Sequence, residues 1–223
     1  MKTLLVLISV FSSILITGCN QSISNNSKDI VESKQILDSG FTNKTEAKNL
    51  TVKGLKEGKW IEYRDSSYVT TKDTSAPYYL LTVYKADLPL GIERGFYKSG
   101  KLFCENPYID GKLNGTVKRY FENGNTESEA PCVNDKSNGV LKFYLENGKL
   151  SSEISAVNGK LNGLWKSYYE SGALRAETPY SNDTINGAMK GYYEDGKLKS
   201  TTVFKNGVAG EKKNYDENGN EIK

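Results

Sequence analysis

Short stretches of alternating apolar and polar residues recur along most of the chain, and each is followed by residues typical of a tight turn. One stretch, 192–200, reads YYEDGKLKS, and close copies begin at three earlier tyrosines, Tyr120, Tyr144 and Tyr168. Alternation with a period of two is typical of β-strands that bury one of their faces. With 15 tyrosines and 21 glycines, the pattern predicts an all-β fold built from repeated hairpins.

Glycine and aromatic positions define the length of the repeat. The glycine that begins each unit recurs every 24 residues, and the last interval is 23 residues. An aromatic residue follows it by five positions and a second glycine by nine. The fixed period predicts a row of equivalent units over residues 91–223. The unit-start glycines are Gly91, Gly115, Gly139, Gly163, Gly187 and Gly210.

A degenerate unit precedes this row. Gly58 is followed five residues later by Tyr63, as in the later units, but a longer insert, 66–90, then interrupts the hairpin. Terminal units of repeat proteins are commonly atypical. We therefore predict that residues 50–90 form a capping repeat, and that the truncated last unit, 211–223, caps the other end.

The turn dipeptides predict how the strands of each unit pair. Asn-Gly or Asp-Gly occurs in four units, and these dipeptides are typical of two-residue type I′ turns. A turn of this type centred on 195–196 places Tyr193 opposite Leu198. It also places Tyr192 opposite Lys199, and further along the strands Lys190 opposite Thr201.

This register divides the side chains between two faces. One face is apolar, with Leu141, Leu145, Leu150 and Ile154 in one unit and small residues at a fixed position. The other face carries the first aromatic residue of each unit beside a cross-strand pair of opposite charges. Such pairs contribute about 0.2–1 kcal/mol each, and their recurrence indicates a structural role. The predicted pairs are Arg94–Glu105, Lys118–Glu129, Lys142–Glu153 and Lys166–Glu177.

The units resemble MORN repeats, in the bacterial variant that reads G-x-W-K-x-Y-Y-E-x-G-x-L. Residues 163–174 read GLWKSYYESGAL, and the resemblance extends over 54–223. It implies an elongated, twisted antiparallel sheet of stacked β-hairpins, a MORN-repeat solenoid. A lone hairpin is only marginally stable, so each unit needs its neighbours. Some bacterial relatives are described as YwqK-type antitoxin components, which implies an alternative function: an antitoxin-like or immunity-like protein that neutralises a toxin.

The N-terminus resembles a bacterial lipoprotein signal. Lys2 precedes an apolar run, Leu4–Ile16, and ITGC then places small residues before Cys19. We predict that residues 1–18 are a signal peptide and that Cys19 is lipidated, so that acyl chains (palmitate or similar) hold the protein on a membrane. The alternatives are an uncleaved anchor and a plain secretory signal. The expected location is the cell envelope: the outer membrane in a Gram-negative cell, otherwise the outer face of the cell membrane.

A segment rich in Ser, Asn and Lys follows the predicted lipidation site. This composition is typical of chains that do not bury a core. We predict a flexible tether over residues 19–49. Within it, 29–37 has weak helical spacing and is interpreted either as loose spacer or as one short helix.

Composition excludes several kinds of chemistry. The chain has no histidine, which removes imidazole acid–base catalysis and imidazole metal ligands. The net charge is +3, with acidic and basic residues interleaved, so no nucleic-acid footprint is present. We therefore expect a non-enzymatic protein without metal or cofactor.

Two thiols remain after Cys19. An exported protein can hold a disulfide, but Cys104 and Cys132 occupy different repeat positions. In one sheet they would lie two strands, about 10 Å, apart, whereas bridged Cα atoms lie within about 7 Å. A disulfide and two free small residues both stay open, and the geometry favours free thiols.

The first tyrosines of the units form the candidate binding residues. Tyrosine is enriched at binding interfaces, so this row could bind an extended partner: most simply a protein, with a peptide or a glycan as alternatives. The competing interpretation is a row of rings that stacks and stiffens the sheet. The function expected from these features is a lipid-anchored repeat protein that binds or scaffolds a macromolecular partner. The candidate residues are Tyr120, Tyr144, Tyr168 and Tyr192.

Overall fold

The computed structural model describes residues 36 and 38–222, and most of them lie in strands or in the turns between strands. The predicted signal peptide, Cys19 and the tether up to residue 35 lie outside the described residues. The helical part of the described residues is one 3₁₀ turn, Lys44–Glu46.

Twenty strands make up the described sheet. The first strands are β1 Leu50–Val52, β2 Leu55–Arg64, β3 Thr70–Thr71, β4 Tyr78–Lys85, β5 Leu88–Tyr97, β6 Leu102–Ile109 and β7 Lys112–Leu113. The next are β8 Gly115–Tyr120, β9 Thr126–Val133, β10 Lys136–Ser137, β11 Gly139–Tyr144, β12 Leu150–Val157, β13 Lys160–Leu161 and β14 Gly163–Tyr168. The last are β15 Leu174–Ser181, β16 Thr184–Ile185, β17 Gly187–Tyr192, β18 Leu198–Lys205, β19 Val208–Tyr215 and β20 Glu221–Ile222.

The strands form one open antiparallel sheet in which each long strand pairs with the long strands before and after it in the chain. Within a unit, β11 pairs with β12 over its full length. Between units, β12 pairs with β14, and the short strand β13 pairs with the end of β12. The all-β prediction of stacked hairpins is confirmed.

The hairpin tips differ from the predicted two-residue turns. At the tip that contains Asp195, the Gly196 amide donates to the Tyr193 carbonyl at 3.0 Å, and the Tyr193 amide donates to the Lys197 carbonyl at 2.8 Å. Gly196 has φ +87°, but Asp195 is not among the residues with positive φ. This is a type I turn closed by a left-handed glycine. The Asp195 side chain accepts from the Lys197 amide at 3.0 Å, which favours this longer turn.

The longer turn changes the pairing beside it. Tyr192 lies opposite Leu198, and the register then shifts, so that Lys190 pairs with Thr201 as predicted. The pairs predicted between Tyr193 and Leu198 and between Tyr192 and Lys199 are therefore wrong. The extra residue forms a β-bulge that restores the register. The same correction places Leu150 opposite Tyr144 and Leu174 opposite Tyr168, on the face with the charges rather than on the apolar face.

Type I′ turns do occur, at the opposite end of each unit. Asn134 and Asp135 have φ of +48° and +67°, and Asn158 and Gly159 have +51° and +83°. Positive φ at both central residues defines this turn. Neighbouring turns are joined, because the Asn134 amide donates to the Asn114 side chain at 3.1 Å. The sequence signal for these turns was a second periodic set of dipeptides that begin with Asn, among them Asn134-Asp135 and Asn158-Gly159.

The first unit contains a longer tip than the others. Gly58 and Gly91 are 33 residues apart, nine more than the repeat length of 24. The predicted insert, 66–90, is only partly an insert, since β4 and the start of β5 belong to the regular pairing. β4 pairs with β2 on one side and with β5 on the other. The additional residues therefore lie in the tip, 65–77.

The packed structure begins before the predicted boundary at residue 50. Phe41 is fully buried in a cluster with Leu81 and Phe96. The Lys48 amide donates to the Lys59 carbonyl at 2.9 Å. The flexible tether predicted for residues 19–49 thus does not describe residues 38–49. An apolar ring that fills a gap on the sheet is not visible in the polar composition of this segment.

Candidate partner-binding face

A row of alternating charges crosses the sheet at right angles to the strands. Each glutamate lies opposite one basic residue within its own unit and a second basic residue in the next unit. Glu129, for example, pairs with Lys118 on β8 and with Lys142 on β11. We call the side of the sheet that carries this row the charged face. Its row comprises Arg94, Glu105, Lys118, Glu129, Lys142, Glu153, Lys166, Glu177 and Lys190.

The four candidate tyrosines lie on the charged face and bind its glutamates. Their phenol oxygens each donate to the glutamate of the preceding unit. The hydrogen bonds are Tyr120 to Glu105 at 3.0 Å, Tyr144 to Glu129 at 3.2 Å, Tyr168 to Glu153 at 2.9 Å and Tyr192 to Glu177 at 2.9 Å. Among the described residues no ring contact joins these tyrosines. They therefore connect neighbouring units by hydrogen bonds rather than by stacking.

These hydrogen bonds affect the ionisation of the tyrosines. Burial, followed by the hydrogen bond to Glu153 and its negative charge, raises the pKa of Tyr168 to about 12. Burial and Glu177 raise the pKa of Tyr192 to about 12 in the same way. Both phenols are consequently neutral donors at physiological pH, with part of each ring open to solvent.

All four predicted charge pairs have the predicted register, but within the described residues an ion pair is formed by one of them. Arg94 Nε donates to Glu105 Oε1 at 3.2 Å, and the two residues lie opposite each other on β5 and β6. Of the four predicted pairs, this is the one that forms an ion pair within the described part of the chain. In the later units the glutamate accepts from a tyrosine instead. The ammonium groups of the lysines thus remain available to another carboxylate.

Apolar side chains flank the charge row on both sides. Toward the type I′ turns, Val140 and Leu164 are 42% and 45% exposed, and they share the charged face because each lies two positions before a lysine of the row. Pro179 lies opposite Leu164. Toward the hairpin tips lie the tyrosines with Leu150 and its equivalents. The charged face therefore presents an apolar row, a charge row and a Tyr/Leu row in parallel.

The opposite face carries small and aliphatic side chains and is largely buried in the middle units. Ser128, Ser152 and Ile154 are at most 8% exposed. Both Cys104 and Cys132 are buried and free, which agrees with the geometric expectation. Burial raises the pKa of the Cys104 thiol to about 11, so this sulfur is not a nucleophile at neutral pH.

Sequence reasoning missed a buried carboxyl group in the first units. Glu93 is 7% exposed, and its carboxylate accepts from the Thr82 hydroxyl at 2.7 Å and from the side-chain amide of Asn106 at 2.8 Å. Burial raises the pKa of Glu93. Within the described residues no group of acidic or cysteine side chains is arranged to hold a metal ion. Glu93 precedes Arg94 of the charge row and takes the repeat position of Leu141 on the opposite face, so the period of 24 is the signal that could have found its burial.

The first units differ from the later ones because residues 36 and 38–47, here called the N-terminal segment, cover their charged face. Asp38 forms a bidentate ion pair with Arg94, at 2.9 Å to Nη1 and 2.6 Å to Nη2. Phe41 fills the space above Leu81, Phe96 and Leu102. Where this cover ends, an open depression is lined by Lys101, Leu102, Tyr120, Asn123 and Gly124.

The geometry defines a repeat protein made of stacked hairpins, and a family model agrees. The MORN repeat variant family matches five stretches of the chain, so the chain carries five repeats of this type. The matched residues are 89–110, 113–134, 137–158, 161–182 and 185–206. Each match runs from one type I′ turn to the next. No curated protein matches the chain. Within the described residues, no helix is both long and apolar enough to span a membrane.

Proposed function

We propose that the protein is a lipid-anchored, non-enzymatic scaffold that binds a macromolecular partner in the cell envelope through its charged face. MORN repeats commonly mediate binding or scaffolding. The observation that carries the proposal is the contrast between the two faces of the middle units. One face buries small side chains, while the other exposes Val140 and Leu164 beside a row of lysines. Exposed apolar groups rimmed by polar ones are typical of interaction sites.

The lipid anchor is supported by the sequence alone. Lys2, the apolar run 4–16 and the ITGC that ends in Cys19 have the order of a lipoprotein signal. In cells that express the full chain, a labelled fatty acid should be incorporated into the wild-type protein and not into Cys19→Ala. Acylation of the variant, or its unchanged sedimentation with membranes, contradicts the anchor.

Partner capture tests the binding role. The full chain and a variant with Tyr144→Ser, Tyr168→Ser and Tyr192→Ser are cross-linked in envelope preparations, and the captured proteins are identified. The matched control replaces the same tyrosines by Phe, which keeps the rings but removes the hydrogen bonds to glutamate. We expect the Ser variant to lose a partner that the wild type captures. An unchanged set of partners, with the β-sheet spectrum retained, contradicts the proposal. Capture of a toxin would instead support the antitoxin-like alternative.

A further inference from the structure

The N-terminal segment shows what kind of chain the charged face holds. Asp38 supplies a carboxylate to Arg94 of the charge row. Three residues later, Phe41 buries its ring completely against Leu81, which lies opposite Arg94, and against Phe96 and Leu102, which occupy the repeat positions of a tyrosine and a leucine. Arg94 thus binds an acidic side chain, and the apolar residues in the next row bind an aromatic one. We call each such contact site on the charged face a seat.

A third contact lies on the apolar row. Ile36 Cδ1 lies 2.8 Å from the position that a Cβ on Gly115 would occupy, and the ring of Pro107 lies 3.1 Å from the same position. The seat exists because Gly115 has no side chain. From Phe41 on β4 and β5, through Asp38 at β5, to Ile36 at β8, the N-terminal segment crosses the strands and follows the rows.

Parts of these seats recur where the face is open. The positions of Arg94, of Phe96 with Leu102 and of Gly115 with Pro107 are matched together by Lys166, by Tyr168 with Leu174 and by Gly187 with Pro179. Glycine and proline meet again at Gly139 with Pro131, 3.1 Å from the Cβ position, and at Gly187 with Pro179, 3.0 Å. Lys142 and Lys166 take the place of Arg94, and Glu129 and Glu153 take the place of Leu81. Tyrosine and leucine pairs take the place of Phe96 and Leu102: Tyr144 with Leu150 and Tyr168 with Leu174.

We propose that the open charged face, residues 115–205, binds an extended segment of a partner protein that carries an aliphatic, an acidic and an aromatic side chain in the spacing of Ile36, Asp38 and Phe41. This inference rests on the proposed function and specifies the partner. The lysines of the row lie opposite glutamates but form no ion pair within the described residues, so an acidic side chain of the partner can pair with them. The surface is continuous with the interface that the N-terminal segment already forms. The partner's backbone runs across the strands and not along a sheet edge.

A peptide of residues 36–47 serves as the probe. It carries a fluorophore and is titrated, by anisotropy, into the full chain in mild detergent. We expect Lys142→Glu with Lys166→Glu to weaken binding at least about tenfold, the loss expected for a charge-assisted contact. The matched control is Arg175→Glu with Lys212→Glu. These substitutions make the same charge change at positions outside the charge row. Arg175 is the unpaired bulge residue on β15, and Lys212 pairs with Thr202. We expect this control to bind like the wild type.

Peptide variants test the chemistry of the probe. Replacing its Asp by Asn or its Phe by Ala should each weaken binding several-fold, and a scrambled peptide should not bind. Equal binding of the scrambled peptide, or equal loss in both double variants, overturns the inference. The peptide is also titrated into a full chain that carries Phe41→Ala. Binding to this variant alone overturns the inference, because the peptide then fills the site that Phe41 occupies in the wild-type chain.

Failure of this inference is distinguishable from failure of the proposed function. If the peptide does not bind while the Tyr→Ser variant still loses a captured partner, the binding face stands and the partner has another chemistry. If neither experiment responds to changes on the charged face, the proposed function fails as well.

Discussion

The tyrosine hydroxyl is the smallest feature that joins one unit to the next. Tyr168 donates to Glu153 at 2.9 Å, and Phe96 shows that a ring without the hydroxyl fits the equivalent position. We expect Tyr168→Phe to lower the free energy of unfolding by about 0.5–1.5 kcal/mol, measured by urea denaturation. An absorbance titration should also lose one phenol with a pKa of about 12. An unchanged free energy would show that the hydrogen bond contributes nothing.

Glu93 gives the protein a pH dependence. Since burial raises its pKa in the folded state, the folded protein holds this proton more tightly than the unfolded chain does. Its contribution to stability is therefore fully present at low pH, below the ordinary carboxyl pKa. It is lost as the pH rises through the raised folded value. We expect the free energy of unfolding of Glu93→Gln to fall less between pH 5 and pH 8 than that of the wild type.

The control for this comparison is Glu211→Gln, which changes an exposed carboxyl group. It should follow the wild-type pH profile. A Glu93→Gln profile parallel to that of the wild type would mean that Glu93 ionises normally in the folded protein.

At this scale the sequence predicts periodic contacts and misses isolated ones. The register between Lys142 and Glu153 follows from the repeat, because a slip would move every side chain to the other face. The ion pair of Asp38 with Arg94 joins residues 56 positions apart, and no repeat signals it. The period places Glu93 on the buried face, but it does not predict that Thr82 and Asn106 donate hydrogen bonds to its carboxylate.

At the scale of the elements, the hairpin tip determines which side chains share a face. In the type I turn, Glu194 is the first central residue, a position compatible with the fixed φ of proline. We expect Glu194→Pro to change the free energy of unfolding by less than about 1 kcal/mol. Gly196→Ala, which forces a side chain to φ +87°, should destabilise by about 1 kcal/mol or more. The measurement is thermal or urea unfolding of each variant.

The predicted type I′ turn gives the opposite result for the proline variant. In that turn the Glu194 amide would donate to Lys197, so proline would remove a hydrogen bond of the ladder. Destabilisation of Glu194→Pro by more than about 2 kcal/mol would contradict the type I assignment.

Turn chemistry explains why the elements were predicted better than their faces. The Asn-Gly and Asp-Gly signals located the hairpins, but both turn types use a glycine with positive φ. They differ in the residue before that glycine, which has positive φ in the type I′ turn and not in the observed turn. A one-residue error there moves Leu150 from one face to the other. The true type I′ turns contain Asn-Asp as well as Asn-Gly, a weaker signal in a single sequence.

At the scale of the whole described sheet, the N-terminal segment stabilises the first units. Phe41 is completely buried, and a buried phenylalanine replaced by alanine typically costs about 3–5 kcal/mol. We expect Phe41→Ala to lower the free energy of unfolding by an amount in this range. Val208→Ala is the control, since Val208 is 71% exposed and its loss should change the free energy by less than about 0.5 kcal/mol. Equal effects of the two substitutions would show that the segment is not packed in solution.

The repeat period was sufficient to predict the row of units, because each hairpin is stable only against its neighbours. It was not sufficient to predict what covers the row. The N-terminal segment that covers it is short and polar, with one aromatic residue, and its position depends on contact sites that exist only on the folded sheet. The candidate binding face was therefore partly predicted: its tyrosines and charges came from the sequence, whereas the third, apolar row and the covering segment came from the structure.

Cross-linking maps the proposed binding mode most directly. The peptide of residues 36–47 carries a photo-reactive benzophenone at the position of Phe41, and the cross-linked residues of the full chain are located by mass spectrometry. The account predicts cross-links beside Tyr144, Leu150, Tyr168 and Leu174, reduced by an excess of unlabelled peptide and lost with Lys142→Glu and Lys166→Glu. Cross-links confined to the opposite face, or no more than a scrambled peptide gives, would contradict it.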